Sequence, residues 1–260
     1  MHKLVLGIEY DGSAYCGWQR QTHSPSVQAQ LEQALSYVAN EPVELICAGR
    51  TDTAVHACEQ VVHFVTRVER NNRSWLLGAN CRLPRDIRIL WVAPIQKSFH
   101  ARFSAIARSY RYIIQNSSVP GALLHDKVSW EHCDLDAKLM HEAAQQLVGQ
   151  HDFDAFRASG CQAKSPVRTI EYLNVSRQGE FIYLDIKANA FLHHMVRNIA
   201  GSLMSIGQGA QTVDWLQQVL RSKDRRQAAK TGSAAGLYFV QAFYPNEFVL
   251  PQVTRKPRFF

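Results

Sequence analysis

LICAGRTDTAVHACEQVVHF, residues Leu45–Phe64, joins two apolar runs through a polar centre. The runs Leu45–Ala48 and Val61–Val65 contain β-branched and aromatic residues, which favour strands. Gly49 ends the first run and permits a turn or a close backbone approach. The pattern therefore predicts two strands joined by a loop, and this loop carries Asp52.

Asp52 has two interpretations at this stage. It can cap a turn, as Asp often does. Alternatively, the cation two positions away, Arg50, holds the carboxylate ionised and aims it at a substrate. Thr51 and His56 belong to the same polar centre, and loops carried by a rigid sheet are a common place for chemistry.

The composition is that of a globular protein with a substantial core. The chain has 260 residues, of which 46% are hydrophobic, and its net charge is +7. This charge permits a polyanionic partner such as nucleic acid. The start of the chain is typical of a first strand rather than a signal peptide, and no apolar run reaches the roughly 18–20 residues that span a bilayer. We therefore expect a cytoplasmic protein.

The first half predicts the element order β-α-β-β-α-β, which is that of a split βαβ unit with a mainly antiparallel sheet. Lys3–Tyr10 alternates as a strand does. A helix follows, with Ser24-Pro25 as its expected N-cap and first residue. The remaining elements are the two strands of the opening segment, a weak helix around Ser74–Asn80 and a strand that contains Ile87, Ile89 and Trp91.

The second half repeats this order with one extra helix, which predicts an α+β protein of two related halves, 1–106 and 107–260. Phe191–Ile206 is the clearest helix, with Met195, Ile199 and Leu203 on its apolar face. A helix over Asp136–Leu147 is expected to bury Leu139, Ala143 and Leu147. Two similar halves predict a cleft at their junction.

The segment Tyr15–Gln21 remains ambiguous. Its aromatic, basic and amide side chains suit stacking on bases and contacts with phosphates. Trp18 can equally fill the core beneath a loop. Tyr110 and Tyr112 pose a similar choice, since they share one face of a predicted strand.

Metal and phosphate motifs are missing from the sequence. None of the six cysteines forms a C-x-x-C pair, and His56-Ala57-Cys58-Glu59 only loosely resembles the zinc-deaminase pattern, with Glu59 one position too late. On a helix, adjacent His193 and His194 would diverge by ~100°. Glycine-rich phosphate loops and serine-hydrolase elbows are also missing. The sequence therefore predicts neither a metal site nor a nucleotide cofactor.

Five ordered motifs resemble those of the tRNA pseudouridine synthase A family. They are YDGSxYxGWQRQ at Tyr10–Gln21, AGRTDxxVHA at Ala48–Ala57, FHARFSAxARSYRY at Phe99–Tyr112, FLHHMVRNIxGSL at Phe191–Leu203 and AGLYFV at Ala235–Val240. The resemblance implies two related α/β halves with a joined sheet, helices packed on it and a central basic cleft. It also implies a homodimer that binds tRNA, without a metal or an organic cofactor.

The activity that these motifs imply is isomerisation of uridine to pseudouridine at positions 38, 39 and 40 of the tRNA anticodon stem-loop. By the same resemblance, Asp52 is the essential aspartate and Tyr110 stacks on the uracil. Arg50 enters the space left by the flipped base, Arg197 pairs with the carboxylate, and Leu237 lines the uracil pocket. Asp52 attacks the sugar, attacks the uracil ring or promotes elimination; the sequence leaves all three routes open.

One position departs from the family pattern, in which a glycine usually stands two residues after the aspartate. Here that residue is Ala54, preceded by Thr53. A positive φ at Ala54 would cost ~1 kcal/mol or more.

Two rival functions remain: a non-catalytic RNA-binding protein, and a metal-dependent deaminase that a chelator would inhibit.

Overall fold

The computed structural model describes residues 1–251, 253 and 256–259. Its contacts group the chain into a first unit, Met1–Ile106 with Tyr238–Pro257, and a second unit, Ala107–Leu237 with Arg258–Phe260. Each unit combines helices with a mostly antiparallel sheet. The predicted α+β class is therefore confirmed.

The first unit is built on a sheet in the order β4-β1-β3-β10. Its elements are β1 (His2–Tyr10), α1 (Val27–Ala39), β2 (Ile46–Cys47), β3 (His56–Thr66), α2 (Asn72–Asn80), β4 (Ile87–Pro94) and most of β10 (Leu237–Phe243). Strand β1 pairs antiparallel with both β3 and β4, and β2 pairs antiparallel with β3. Strand β10 runs parallel to β3, with Tyr238 opposite His56. The predicted β-α-β-β-α-β order is present in β1 to β4.

The second unit contains an antiparallel sheet in the order β5-β9-β8-β7, with β6 parallel to β5. Its elements are β5 (Ala107–Asn116), β6 (Ser129–Glu131), α3 (Ala137–Gln145), β7 (Gly149–Asp152), β8 (Val167–Gln178), β9 (Phe181–Ala188), α4 (Met195–Gly207) and α5 (Val213–Ser222). Helix α3 packs against both β8 and α4. Short strands β6 and β7 are additions to the predicted order.

The apolar stripe predicted for α4 is confirmed, since Met195, Ile199 and Leu203 are all buried. The predicted start at Phe191 is wrong. His194 has a left-handed backbone with φ +60°, so the helix begins only at Met195.

The predicted start of α1 is wrong, and the predicted apolar face of α3 is wrong at one residue. Helix α1 begins at Val27 because Ser26, and not Ser24, caps it: its hydroxyl accepts the amide of Ala29 at 3.4 Å. In α3, Leu139 is 38% exposed and the neighbouring Met140 is buried. Ala143 and Leu147 are buried as predicted, so the prediction for this helix is wrong only at Leu139.

All six cysteines are free thiols. In the part of the chain that the structure describes, the helices are all too short or too polar to cross a membrane.

Candidate active site

Asp52 lies on the loop 50–55 between β2 and β3, which we call the Asp52 loop. Its side chain is partly exposed, and Arg50 on the same loop is exposed. The base of the loop is fixed to β3, since Ala48 donates its amide to the carbonyl of Val61 at 2.8 Å. A rigid sheet therefore presents the Asp52 carboxylate at the surface of the first unit.

The segment 10–18 braces the Asp52 loop from outside. The amide of Trp18 donates to the carbonyl of Thr51 at 3.0 Å, and the amide of Ala54 donates to the carbonyl of Tyr15 at 3.2 Å. The hydroxyls of Tyr10 and Thr51 also form a buried hydrogen bond of 2.7 Å. The residues on both sides of Asp52 are thus held in place.

Two glycines allow this close approach. A Cβ on Gly12 would lie 2.0 Å from the carbonyl oxygen of Val55, and a Cβ on Gly17 would lie 2.7 Å from that of Thr51. Gly17 also has φ +90°, a conformation that glycine adopts without strain. Any side chain at either position would push the backbone of the Asp52 loop.

The position that departs from the family pattern carries backbone strain. Ala54 has φ +61°, a left-handed conformation that costs a residue with a Cβ about 1–2 kcal/mol. The hydrogen bond from its amide to Tyr15 stabilises this conformation. The loop therefore keeps a turn of the kind glycine favours, although it has an alanine there.

In the segment Tyr15–Gln21, Trp18 fills the core, which is one of the two alternatives that the sequence left open. Trp18 is 1% exposed and its ring lies 6.0 Å from that of Tyr10. Arg20 forms an ion pair with Glu32 at 2.9 Å, and Gln21 donates to the carbonyl of Cys16. The segment supports the Asp52 loop and buries its indole.

His56 anchors the turn that begins at Asp11. Its Nδ1 accepts the amide of Gly12 at 3.1 Å and lies 3.1 Å from a carboxylate oxygen of Asp11. The imidazole is buried and stacks on the ring of Tyr238. Because it is enclosed in this way, His56 has a positioning role next to the Asp52 loop.

The second unit carries the other predicted site residues. Tyr110 on β5 is partly exposed, with the ring of Phe191 edge-on at 4.9 Å. Tyr112, on the same strand face, is completely buried, and burial raises the pKa of its hydroxyl to about 12. Of the two tyrosines that the sequence could not separate, Tyr110 is the one whose ring a ligand can reach. Leu237, the first residue of β10, is buried.

Arg197 on α4 is fixed to the glycine of a distant segment. Its Nε donates to the carbonyl of Gly232 at 2.9 Å, and the amide of Gly232 donates to the carbonyl of Arg197 at 3.0 Å. A Cβ on Gly232 would lie 2.6 Å from the hydroxyl of Tyr112. Arg197 is therefore a positioned residue and not a solvated helix residue. Gly232 lies in none of the motifs that the sequence analysis identified.

Some side chains that could act as metal ligands lie close together in the described part of the second unit. In the second unit, Glu131, His132 and Cys133 are close together, with Nε2 of His132 3.3 Å from Sγ of Cys133, on an exposed strand end. His193 and His194 do not diverge as predicted, because they precede α4 and their rings lie 4.0 Å apart.

Comparison with known proteins identifies the class. A family model described as tRNA pseudouridine synthase matches residues 7–104 and 143–245. The chain is 56% identical over 253 residues to the tRNA pseudouridine synthase A of Hydrogenovibrio crunogenus, covering 97% of both chains. It is also 56% identical to the protein of that name from Shewanella denitrificans, covering 99% of this chain and 98% of that one.

The match to the family model includes the Asp52 loop and α4, and the two relatives align over nearly the whole chain. The protein belongs to the tRNA pseudouridine synthase family, a family of isomerases.

Proposed function

We propose that this protein isomerises uridine to pseudouridine at positions 38, 39 and 40 of the tRNA anticodon stem-loop, with Asp52 as the essential carboxylate. The geometry of the Asp52 loop is the main support for this proposal. A partly exposed carboxylate lies on a loop fixed from two sides, by β3 and by the segment 10–18. Family membership supplies the reaction class.

The chemistry conserves all atoms of the uridine. The bond between the sugar and the uracil nitrogen breaks, the uracil turns, and a bond forms between the same sugar carbon and a ring carbon. The proton displaced from that ring carbon leaves, and the freed nitrogen takes one up. A carboxylate suits this reaction because it can act as a nucleophile or accept a proton. The target base must first leave the stack, at a cost of a few kcal/mol.

The remaining residues serve substrate binding in this proposal. Arg50 is exposed and can fill the gap left by the flipped base. Tyr110 offers a ring for stacking and a hydroxyl for proton transfer. Arg197 is oriented by Gly232, and Leu237 contributes an apolar wall. A cation and a stacking ring together offset part of the flipping cost.

Tyr110 and Tyr112 form a matched pair for testing these roles. We expect Tyr110→Phe to lower the rate by about 10²- to 10⁴-fold, the range for removing a general acid or base. Tyr112→Phe should change the rate less than about twofold, because that hydroxyl is completely buried. Equal rates for the two variants in single-turnover assays would contradict the role of Tyr110.

The proposal includes a homodimer that acts in the cytoplasm and needs neither a metal nor an organic cofactor. The expected mass in light scattering is therefore that of two chains. EDTA should leave the rate unchanged, which also separates the isomerase from the deaminase alternative.

The main experiment uses the purified protein and an unmodified tRNA transcript with uridines in the anticodon arm. Pseudouridine is mapped by chemical labelling at nucleotide resolution, with EDTA present and no cofactor added. We expect pseudouridine at positions 38, 39 and 40 of the anticodon arm, because the proposed target uridines lie there. Tight binding without any product would favour a non-catalytic RNA-binding protein and would overturn the proposal.

A further inference from the structure

A second loop of the first unit presents an aromatic ring at the surface. This loop, residues 99–104 with the sequence FHARFS, is called the Phe103 loop below. Phe103 is 76% exposed, although full burial of a phenylalanine is favourable. One face of its ring stacks on the imidazole of His100, with centroids 4.3 Å apart and planes within 25°. The guanidinium of Arg102 lies 5.6 Å from the ring centroid.

The backbone of the Phe103 loop is fixed by its own side chains. Nδ1 of His100 accepts the amides of both Arg102, at 3.2 Å, and Phe103, at 3.1 Å. The amide of Ser104 donates to the carbonyl of His100 at 2.8 Å, and the hydroxyl of Ser104 accepts the amide of His100 at 3.0 Å. The ring of Phe103 is therefore held outward on an ordered turn.

Contacts from distant parts of the first unit fix the loop further. The amide of Ala101 donates to Nδ1 of the buried His63 at 3.1 Å. The hydroxyl of Tyr244 donates to the carbonyl of Ala101 at 2.8 Å. Nζ of Lys3 donates to the carbonyl of Phe99 at 2.8 Å. The loop is thus preorganised, which lowers the entropic cost of binding a ligand.

Other exposed aromatic side chains in the described part of the chain differ from Phe103. Tyr37 has the guanidinium of Arg82 directly over its ring, 3.6 Å from the centroid. Trp130 is less exposed, and its Nε1 donates to the carbonyl of Ser117 at 2.9 Å. Phe103 instead combines a supported inner face, a large exposed area and a neighbouring cation.

We propose that Phe103 stacks on an unpaired base of the bound tRNA, with His100 behind the ring and Arg102 at the adjoining phosphate. The inference rests on the proposed function, because it takes the polyanionic ligand to be tRNA. Aromatic rings and arginines are the usual elements of single-stranded RNA recognition. The stack adds affinity for tRNA and has no part in the chemical step.

The test compares three substitutions of one exposed ring. Phe103→Ala and Phe103→Leu should weaken the affinity for an unmodified tRNA transcript by about 5- to 150-fold, and Phe103→Trp should stay within about threefold of wild type. The leucine variant keeps an apolar side chain but removes the ring. Leu123→Ala, at an apolar residue that is 88% exposed, is the control and should bind as wild type does.

Three further measurements make the result specific. The rate at saturating tRNA should be unchanged in all Phe103 variants, because the ring acts in binding alone. Thermal unfolding should be unchanged, because the ring is exposed. Transcripts that carry 2-aminopurine in place of single unpaired bases should show quenching on binding wild type and lose it at one position with Phe103→Ala.

Wild-type affinity in Phe103→Ala or Phe103→Leu would overturn the stacking proposal. A change of molecular mass in Phe103→Ala would overturn it as well, since the ring would then contact a second protein chain. Affinity is measured independently of product. A wild-type protein that binds tRNA but makes no pseudouridine would therefore contradict the proposed function and leave the stacking result interpretable.

Discussion

The Asp52 loop and the Phe103 loop belong to the same unit but are held in different ways. The Asp52 loop is braced by backbone hydrogen bonds to the segment 10–18, where Gly12 and Gly17 leave no room for a Cβ. The Phe103 loop is braced by the ring nitrogens of His63 and His100. Added side-chain volume at Gly12 or Gly17 should therefore perturb the Asp52 loop, whereas protonation of His63 or His100 should perturb the Phe103 loop.

The largest loss of stability is expected from Gly17→Ala, because this substitution perturbs the contact between the segment 10–18 and the Asp52 loop. The new Cβ would lie 2.7 Å from the carbonyl oxygen of Thr51, at φ +90°. Clash and strain together should destabilise the protein by about 3 kcal/mol and lower the rate of pseudouridine formation. Urea unfolding and single-turnover kinetics measure both.

Gly179→Ala is the matched control for that variant. Gly179 also has a positive φ, +57°, but nothing lies within 4 Å of its missing Cβ. Gly179→Ala should therefore destabilise the protein only by the backbone strain, about 1 kcal/mol, and leave the rate of pseudouridine formation unchanged. Equal destabilisation by the two variants would mean that the close approach of Gly17 to Thr51 is unimportant.

Acid should loosen the Phe103 loop. Burial, together with the nearby His100 and Lys3, lowers the pKa of His63 to about 4, while its value in the unfolded chain is about 6.5. Burial also lowers the pKa of His100, with Lys3 as a further cause. The unfolded state binds more protons below pH 6.5, so stability falls as the pH drops from 6.5 towards 4.

His63 alone should remove about 2 kcal/mol of stability between pH 7 and pH 5. His63→Gln keeps an acceptor for the amide of Ala101 but cannot be protonated. Urea unfolding at both pH values should show a smaller loss for this variant than for wild type. The same loss in both proteins would show that His63 does not titrate in this way.

The smallest effect is expected at Ala54 in the Asp52 loop. Ala54→Gly should stabilise the protein by up to about 1 kcal/mol, because glycine adopts φ +61° without strain. Asn40→Gly, at φ +53°, is the comparison, and it should gain less because asparagine tolerates this conformation. A destabilised Ala54→Gly protein would mean that the methyl group of Ala54 contributes more than the strain costs.

The sequence predicted what depends on local pattern. Apolar runs of β-branched and aromatic residues predicted a strand on each side of Asp52, although β3 begins at His56 and not at Val61. The spacing of Met195, Ile199 and Leu203 identified the buried face of α4. The motif that contains Asp52 is contiguous, so its loop was visible as a polar centre between apolar runs. These features need no knowledge of distant contacts.

The rest depends on contacts that are remote in sequence. Strand β6 is defined by its pairing with β5. Tyr238 pairs with His56, although most of the sequence separates the two residues. The local sequence does not mark the FHARFS segment as a fixed turn, because its supports, His63 and Tyr244, lie far from it in sequence. The choice between Tyr110 and Tyr112 likewise required burial, which alternation along one strand face does not provide.

In the proposed function, the isomerisation depends on the carboxylate that the Asp52 loop presents. The most direct test measures Asp52→Asn under single-turnover conditions, with enzyme in excess over tRNA, together with its affinity for the same tRNA. The substitution keeps the shape of the side chain and removes its charge. We predict no pseudouridine above background and an affinity within a few-fold of wild type. A rate above about one tenth of wild type would contradict the account, because general acid–base or nucleophilic groups contribute at least 10²-fold.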